Sequence, residues 1–278
     1  MAEKQFLTPA EIAESLVEGA QVKASSGTAK LLALGVIAGI FIAFGAHGST
    51  MAAHNLLLRP ELQGLGRMVA GLIFGTGLIL VTVAGGELFT GNNLMIVSLL
   101  ERKISGLSMV RNWLLAYIGN FAGTMAVAAL VVFSGIFNTS AGNLGAMAIR
   151  IAVTKINLGF WQAFTLGILC NFLVCGAVWM ACGARDIAGK VLVCLFPICL
   201  FVTSGFEHSI ANMFYIPAGI WASSNGFWLE TAKISQEALA SLTWANFLTR
   251  NLLPVTLGNT LAGCLLGSVY WFSFLRSR

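Results

Sequence analysis

The sequence predicts an all-α membrane protein: six transmembrane helices arranged as an inverted 3+3 repeat, with helices 2 and 5 broken. Three observations predict it. Only 10% of the residues are charged against 57% hydrophobic, and the mean hydropathy is +0.84; a soluble domain carries about a quarter charged residues. At roughly 20 residues per crossing, the apolar sequence suffices for about six spans and little else. Two of the apolar stretches are interrupted by short polar motifs, and those motifs correspond to one another at a constant offset.

The chain opens on a polar stretch followed by a helix start, so no cleavable signal peptide is expected. Thr8, Pro9 and Glu11 supply an N-cap, a proline at the first helical position and an acid in the first turn. Ile12, Leu16, Val17 and Ala20 then recur at helical spacing against Glu11, Glu14, Glu18 and Lys23. Residues 9–27 therefore form an amphipathic helix, too polar to span, lying along the membrane face and packing on the bundle or a neighbouring subunit.

Residues 31–275 form the six-span bundle, one channel-like membrane domain with no soluble domain attached. Span one is Leu31 to Leu58, without Asp, Glu, Lys or Arg, and Arg59 to Glu61 ends it. Span two begins at Met68, breaks between Ala84 and Asn93, and resumes to Leu100. Span three lies within Asn112 to Ile149, and span four within Ile156 to Ala184. Span five runs from Val191 to Ile216 and breaks at Thr203 to Phe214. A polar stretch follows from Ser223 to Ser241, before span six at about Phe247 to Leu275. With the N-terminus inside, cytoplasmic segments carry Lys4, Lys23, Lys30, Arg102, Lys103, Arg111, Arg185, Lys190, Arg276 and Arg278. The other side carries Arg59, Arg67, Arg150, Lys155, Lys233 and Arg250. Ten against six favours both termini in the cytoplasm of a plasma (inner) membrane protein.

The halves echo one another. Glu87 and Asn92 align with Glu207 and Asn212 at the two breaks. Arg111-Asn112 followed by Gly119-Asn120 recurs as Arg250-Asn251 followed by Gly258-Asn259. Three spans per half is an odd number, so the second copy enters the membrane upside down. Interrupted helices at corresponding places in inverted repeats point to a central transport site.

His208 is the chemical focus. From Val191 to Phe206 and from Ser209 to Leu229 there is no Asp, Glu, Lys or Arg, and ionisable groups at such depth face an aqueous path or a bundle interior. Half-helix N-termini pointing inward favour an anion without a fixed cation. Conduction needs weak sequential sites, because an anion held by a full salt bridge would bind too well to leave. Glu87 and Glu207 are expected to accept hydrogen bonds from backbone N–H groups freed at the breaks, with Asn92 and Asn212 beside them. Lys155 either snorkels to the interface at the start of span four or draws anions into an outer vestibule. His47 and His54 read as packing or interface residues. Gly35/Gly39 and Gly71/Gly75 mark close helix packing.

The six cysteines lie in apolar runs with no C-x-x-C spacing, so no zinc site or disulfide framework is indicated. No metal or organic cofactor is implied, and the net charge of +5 lacks the basic, aromatic-interleaved cluster of a nucleic-acid binder. An intramembrane hydrolase built on Ser204 or Ser209 with His208 is disfavoured, because adjacent residues rarely reach nucleophile–base geometry. A neutral-solute channel of the aquaporin type would carry an Asn-Pro-Ala triplet, which this sequence does not contain.

Gly86-Glu-Leu-Phe-Thr90, Gly119-Asn120, the stretch Gly167 to Trp179, Ser204-Gly-Phe-Glu-His-Ser-Ile-Ala-Asn-Met-Phe214 and Leu253 to Asn259 together resemble the formate/nitrite transporter family of small-anion channels. The resemblance covers essentially the whole chain. It implies an aquaporin-like protomer, a homopentamer in the lipid bilayer, and one path per protomer for small monovalent anions: formate first, then nitrite or hydrosulfide. By position it implies a polar centre of Thr90, Asn171 and His208, a cytoplasmic constriction of Phe74, Leu78 and Phe201, and a periplasmic constriction of Leu88, Phe89 and Val174. It also implies a vestibule role for Lys155 and a cytoplasmic mouth that the N-terminal helix occludes at low pH. One departure stands out: Glu87-Leu-Phe-Thr-Gly91 replaces the Asp-Leu-Phe-Thr-Ser of many formate-type members, and Glu there resembles the hydrosulfide-type branch.

Overall fold

The computed structural model describes residues 6–276, so Lys4 and Arg278 lie outside the described residues. Helix α1 (Pro9–Ser25) starts as its sequence requires: Thr8 and Glu11 form a reciprocal capping box behind Pro9. Its apolar stripe of Ile12, Ala13, Val17 and Ala20 is buried against the bundle, and Leu7 N–H donates to Gly183 O at 2.9 Å.

Six helices are long and apolar enough to cross a membrane. The first is α2 (Thr28–Leu57). After a 3₁₀ turn at Pro60–Leu62 comes α3 (Gln63–Ile79), prolonged by a wide turn to Gly85. The chain runs extended to Leu88 and resumes in short helices α4 (Phe89–Asn92) and α5 (Ile96–Leu100). The third crossing is α6 (Gly106–Phe133). Helix α7 (Asn143–Ile156) is separate from the fourth crossing, α8 (Phe160–Gly183). The fifth is α9 (Ile187–Ser204), followed, after left-handed Gly205 and three further residues outside any helix, by α10 (Ser209–Ala222). The stretch after it folds into short helices α11 (Gly226–Ala232), α12 (Gln236–Ala240) and α13 (Trp244–Asn246). A wide turn then leads into α14 (Leu253–Phe274), the sixth crossing.

One expectation changes here. Lys155 does not begin span four: it sits in the last turn of α7, a helix that ends three residues before α8 begins. The turn at 157–159 separates the two helices, so the fourth crossing begins at Phe160 and not at Ile156.

Helix α2 packs along α6 and α3, α8 along α14 and α9, and α10 against α7 and α6. Small residues permit these approaches, since in a bilayer close backbone contact replaces a hydrophobic drive between helices. A Cβ at Gly35 would lie 3.1 Å from Gly119 Cα, and one at Gly39 would overlap the Asn120 carbonyl. Gly71 faces the Cys199 carbonyl in the same manner across α3 and α9. His54 is a structural residue: Nδ1 meets Met51 O at 2.7 Å and Nε2 meets Ser140 Oγ at 2.9 Å. His47 packs edge-on to Phe214.

Gly39→Val should therefore cost roughly 1–3 kcal/mol by overpacking a backbone contact. Gly19→Ala, where the added Cβ meets nothing within 4 Å, should be neutral or slightly stabilising; thermal unfolding of the two variants in detergent checks both.

Candidate functional site

Each interruption frees backbone groups in a medium that cannot hydrate them. At the first, Gly85 takes φ +99° and Gly86 to Leu88 are extended. At the second, Gly205 takes φ +75° and closes the C-terminus of α9, a conformation glycine adopts without strain. Glu87 N–H donates to Leu34 O at 3.1 Å, and Glu207 N–H to Leu166 O at 3.3 Å. Two buried asparagines satisfy further freed groups. Asn120 Oδ1 accepts from Phe89 N–H at 3.0 Å, while its Nδ2 donates to Gly35 O at 2.8 Å and Glu87 O at 2.9 Å. Asn259 repeats this with Ser209 N–H at 2.9 Å, Gly167 O at 2.8 Å and Glu207 O at 3.0 Å.

This corrects the expectation for the two glutamates. An interruption frees both N–H and C=O groups, and a side-chain amide answers both, whereas a carboxylate only accepts. Glu87 instead accepts from Asn92 Nδ2 at 2.6 Å and Lys23 Nζ at 3.1 Å. Glu207 accepts from Asn212 Nδ2 at 2.7 Å, Asn251 Nδ2 at 3.3 Å and Lys155 Nζ at 2.7 Å. Both carboxylates are thus buried members of ion pairs bound into asparagine networks. In those networks Asn92 and Asn212 also reach Asn112 and Asn251.

His208 is the N-cap of α10: its Nδ1 accepts from Ala211 N–H at 3.2 Å. That bond requires an unprotonated Nδ1, so the neutral ring carries its hydrogen on Nε2. Nε2 faces Thr90 Oγ1 at 2.9 Å and donates to it. Thr90 keeps its own hydroxyl hydrogen, with no acceptor among the described residues. The expected centre thus assembles in part. Thr90 and His208 touch, whereas Asn171 spends its amide on Thr90 O, Asn93 Oδ1 and Asn259 O, at 3.3, 3.0 and 2.6 Å. Asn171 therefore holds the threonine backbone and does not reach the imidazole. Asn171 Oδ1, Asn93 Nδ2 and Ser209 Oγ are buried without protein partners.

Two cavities approach this centre from opposite sides. One, of about 470 Å³, lies under α1 and is lined by Lys23, Leu78, Glu87, Leu88, Gly91 and Val178. The other, of about 240 Å³, is lined by Arg67, Phe74, Lys155, Phe201, Glu207 and His208. The residues grouped by resemblance divide differently between these cavities: Leu78 shares the α1 side with Leu88 and is parted from Phe74 and Phe201. Phe74 and Phe201 lie on the Lys155 side, their rings edge-to-face at 5.6 Å, and Leu88 lies on the α1 side. Chain direction is the reason. Helix α3 runs towards the α1 side, so Phe74 precedes Leu78 and Leu88; α9 runs away from it, so Phe201 comes late. Phe89 packs its ring on Tyr117 and Trp113 at 5.0 and 6.3 Å, and Val174 is buried; neither lines the two cavities.

Lys23 and the network asparagines Asn112 and Asn251 were not singled out from the sequence as site residues. Asn112 and Asn251 recur at the offset of 139 that also relates Asn120 to Asn259, and the signal for Lys23 is a further offset. Lys23 and Lys155, Gly27 and Gly159, Leu34 and Leu166, and Gly35 and Gly167 are each 132 positions apart. The correspondence thus extends to α1 and α7, each presenting a lysine to the glutamate of one interruption.

The family model "Formate/nitrite transporter" matches residues 10–272. The chain is similar to the formate channel FocA of Escherichia coli K12, with 38% identity over 98% of this chain and 95% of that protein. It is similar to the formate channel FocA of Haemophilus influenzae at 37%, over 95% and 93%. Among solved structures, a pentameric formate channel with formate bound matches with a TM-score of 0.79 and 37% identity, over 90% of this chain and 98% of that one. An FNT family ion channel matches with a TM-score of 0.80 and 27% identity, over 95% and 98%.

Lys155→Met should destabilise by about 3–5 kcal/mol, because it leaves the Glu207 carboxylate buried and unpaired. Glu207→Gln in the same chain should return most of that loss; a thermal-unfolding double-mutant cycle measures the coupling.

Proposed function

The chain belongs to the formate/nitrite transporter family, and we propose that it forms a channel for small monovalent anions of weak acids. Formate comes first, because the similar proteins bear that name; nitrite and hydrosulfide follow as anions of the same size and charge. The observation that carries this reading is the buried Thr90–His208 pair at 2.9 Å, with Phe74 and Phe201 on one approach and Leu78 and Leu88 on the other.

A bare anion in an apolar constriction loses its hydration at great cost. Passage as the conjugate acid removes that cost, so flux rises as pH falls. At the centre, the free hydroxyl hydrogen of Thr90, polarised by the Nε2–H that His208 donates to its oxygen, is a donor able to hold an anion while it gains or loses a proton. The unpartnered Asn171 Oδ1, Asn93 Nδ2 and Ser209 Oγ supply polar atoms nearby. Lys155 and Lys23 line the two cavities, and their ion pairs with Glu207 and Glu87 keep either lysine from trapping an anion.

The same reading makes the protomer an aquaporin-like inverted repeat with broken second and fifth spans, in a homopentamer. It places α1 and both termini on the cytoplasmic face of the plasma (inner) membrane. The pairwise correspondence of hydrogen bonds at the two interruptions supports the repeat, and the sidedness of Lys and Arg supports the orientation.

The test is formate flux into liposomes. His208→Asn keeps an oxygen to cap Ala211 N–H but offers no titratable proton. It should lower formate flux about tenfold or more, the worth of one hydrogen bond to a charged group, and flatten its pH dependence. Unchanged flux and pH response would remove the histidine's role, and wild-type vesicles impermeable to formate, nitrite and hydrosulfide would remove the function.

A further inference from the structure

We propose that Arg67 is the anion-gathering cation of the cavity on the Lys155 side and makes the two mouths of the path electrically unequal. The inference rests on the anion-channel reading and adds to it a residue that sets the rate of entry from one side. Two charged residues line the cavity beneath α1, Lys23 and Glu87, and they are paired at 3.1 Å. The opposite cavity has the matching pair, Lys155 and Glu207 at 2.7 Å, plus Arg67. Arg67 is exposed, and no carboxylate pairs with it among the described residues. Each lysine charge is cancelled nearby by its glutamate, so the one uncompensated charge on either cavity wall is the Arg67 guanidinium.

The fold holds it there. Arg67 lies near the start of α3, and its carbonyl oxygen accepts from Thr203 Oγ1 of α9 at 3.4 Å. The residue 120 positions on, at the offset that relates Glu87 to Glu207, is Ile187, which is exposed and apolar. The first half thus contributes a cation that the second does not. A fixed charge at a mouth raises the local concentration of counter-ions and their rate of entry, and salt screens the effect. Because its mouth position leaves the central barrier alone, the effect should appear as rectification.

Single-channel formate currents at the two voltage polarities test this in the wild type and in Arg67→Lys, Arg67→Gln and Arg67→Glu. At about 0.03 M salt the current carried by anions entering from the Arg67 side should fall roughly two- to fivefold in Arg67→Gln. Arg67→Lys should match the wild type, and Arg67→Glu should fall further. At about 1 M, where the Debye length is about 3 Å, the variants should converge. Equal loss at both polarities, rectification that does not follow the charge at position 67, or differences that persist at high salt would overturn the inference. A wild-type channel that carries no formate current would remove the anion-channel reading, and this inference with it.

Discussion

Backbone N–H and C=O groups cannot be left bare in an apolar medium, and this protein interrupts two of its crossings. Asn120 on α6 and Asn259 on α14 make the interruptions possible. Each accepts one freed N–H and donates to two carbonyls, on its own interruption and on the neighbouring crossing. Losing any one of those bonds leaves a buried group without a partner, at about 1–3 kcal/mol each. The positions of α4 and α10, and with them the meeting of Thr90 and His208, depend on these two amides.

On that shared scaffold the two halves differ where chemistry is done. At the offset of 120, His208 corresponds to Leu88 and Thr90 to Ile210. The imidazole therefore comes from one half and the hydroxyl from the other, and each has an apolar counterpart. A strictly repeated sequence would place two histidines or two hydroxyls near the centre. The divergence leaves a single donor pair, with apolar Leu88 on the approach from the α1 side.

Charge is distributed with similar economy. Both deep lysines are held by glutamates that also bind asparagines, so neither cavity floor presents a free cation. The pairing also gives α1 a second function. A helix that reads as a peripheral amphipathic segment is bonded into the interior through Lys23, which reaches Glu87 and, at 2.7 Å, Asn92. Any movement of α1 away from the bundle breaks that ion pair and unroofs the larger cavity.

The crossings, the capped start of α1 and the chain breaks after α3 and after α9 were legible in the sequence. Hydropathy, capping residues and the cost of an ionisable group in an apolar run are local properties. The division of Phe74, Leu78 and Leu88 between the two cavities follows chain direction: Phe74 precedes Leu78 along α3, and Leu88 comes after the break that follows it. The turn between α7 and α8 has a local signal in Asn157 and Gly159, but whether the crossing begins before it, at Ile156, or after it, at Phe160, is decided by packing. The offset that relates Lys23 to Lys155 was in the sequence too, but only the meeting of Lys23 with Glu87 shows what it means. The sequence by itself determined where the chain enters, breaks and leaves the apolar layer. Only the tertiary structure decided that asparagines rather than glutamates seal the breaks, and that the Asn171 Nδ2 is spent on Thr90 O, Asn93 Oδ1 and Asn259 O. Those outcomes depend on the rotation and depth of helices far apart in the chain, and close packing settles both.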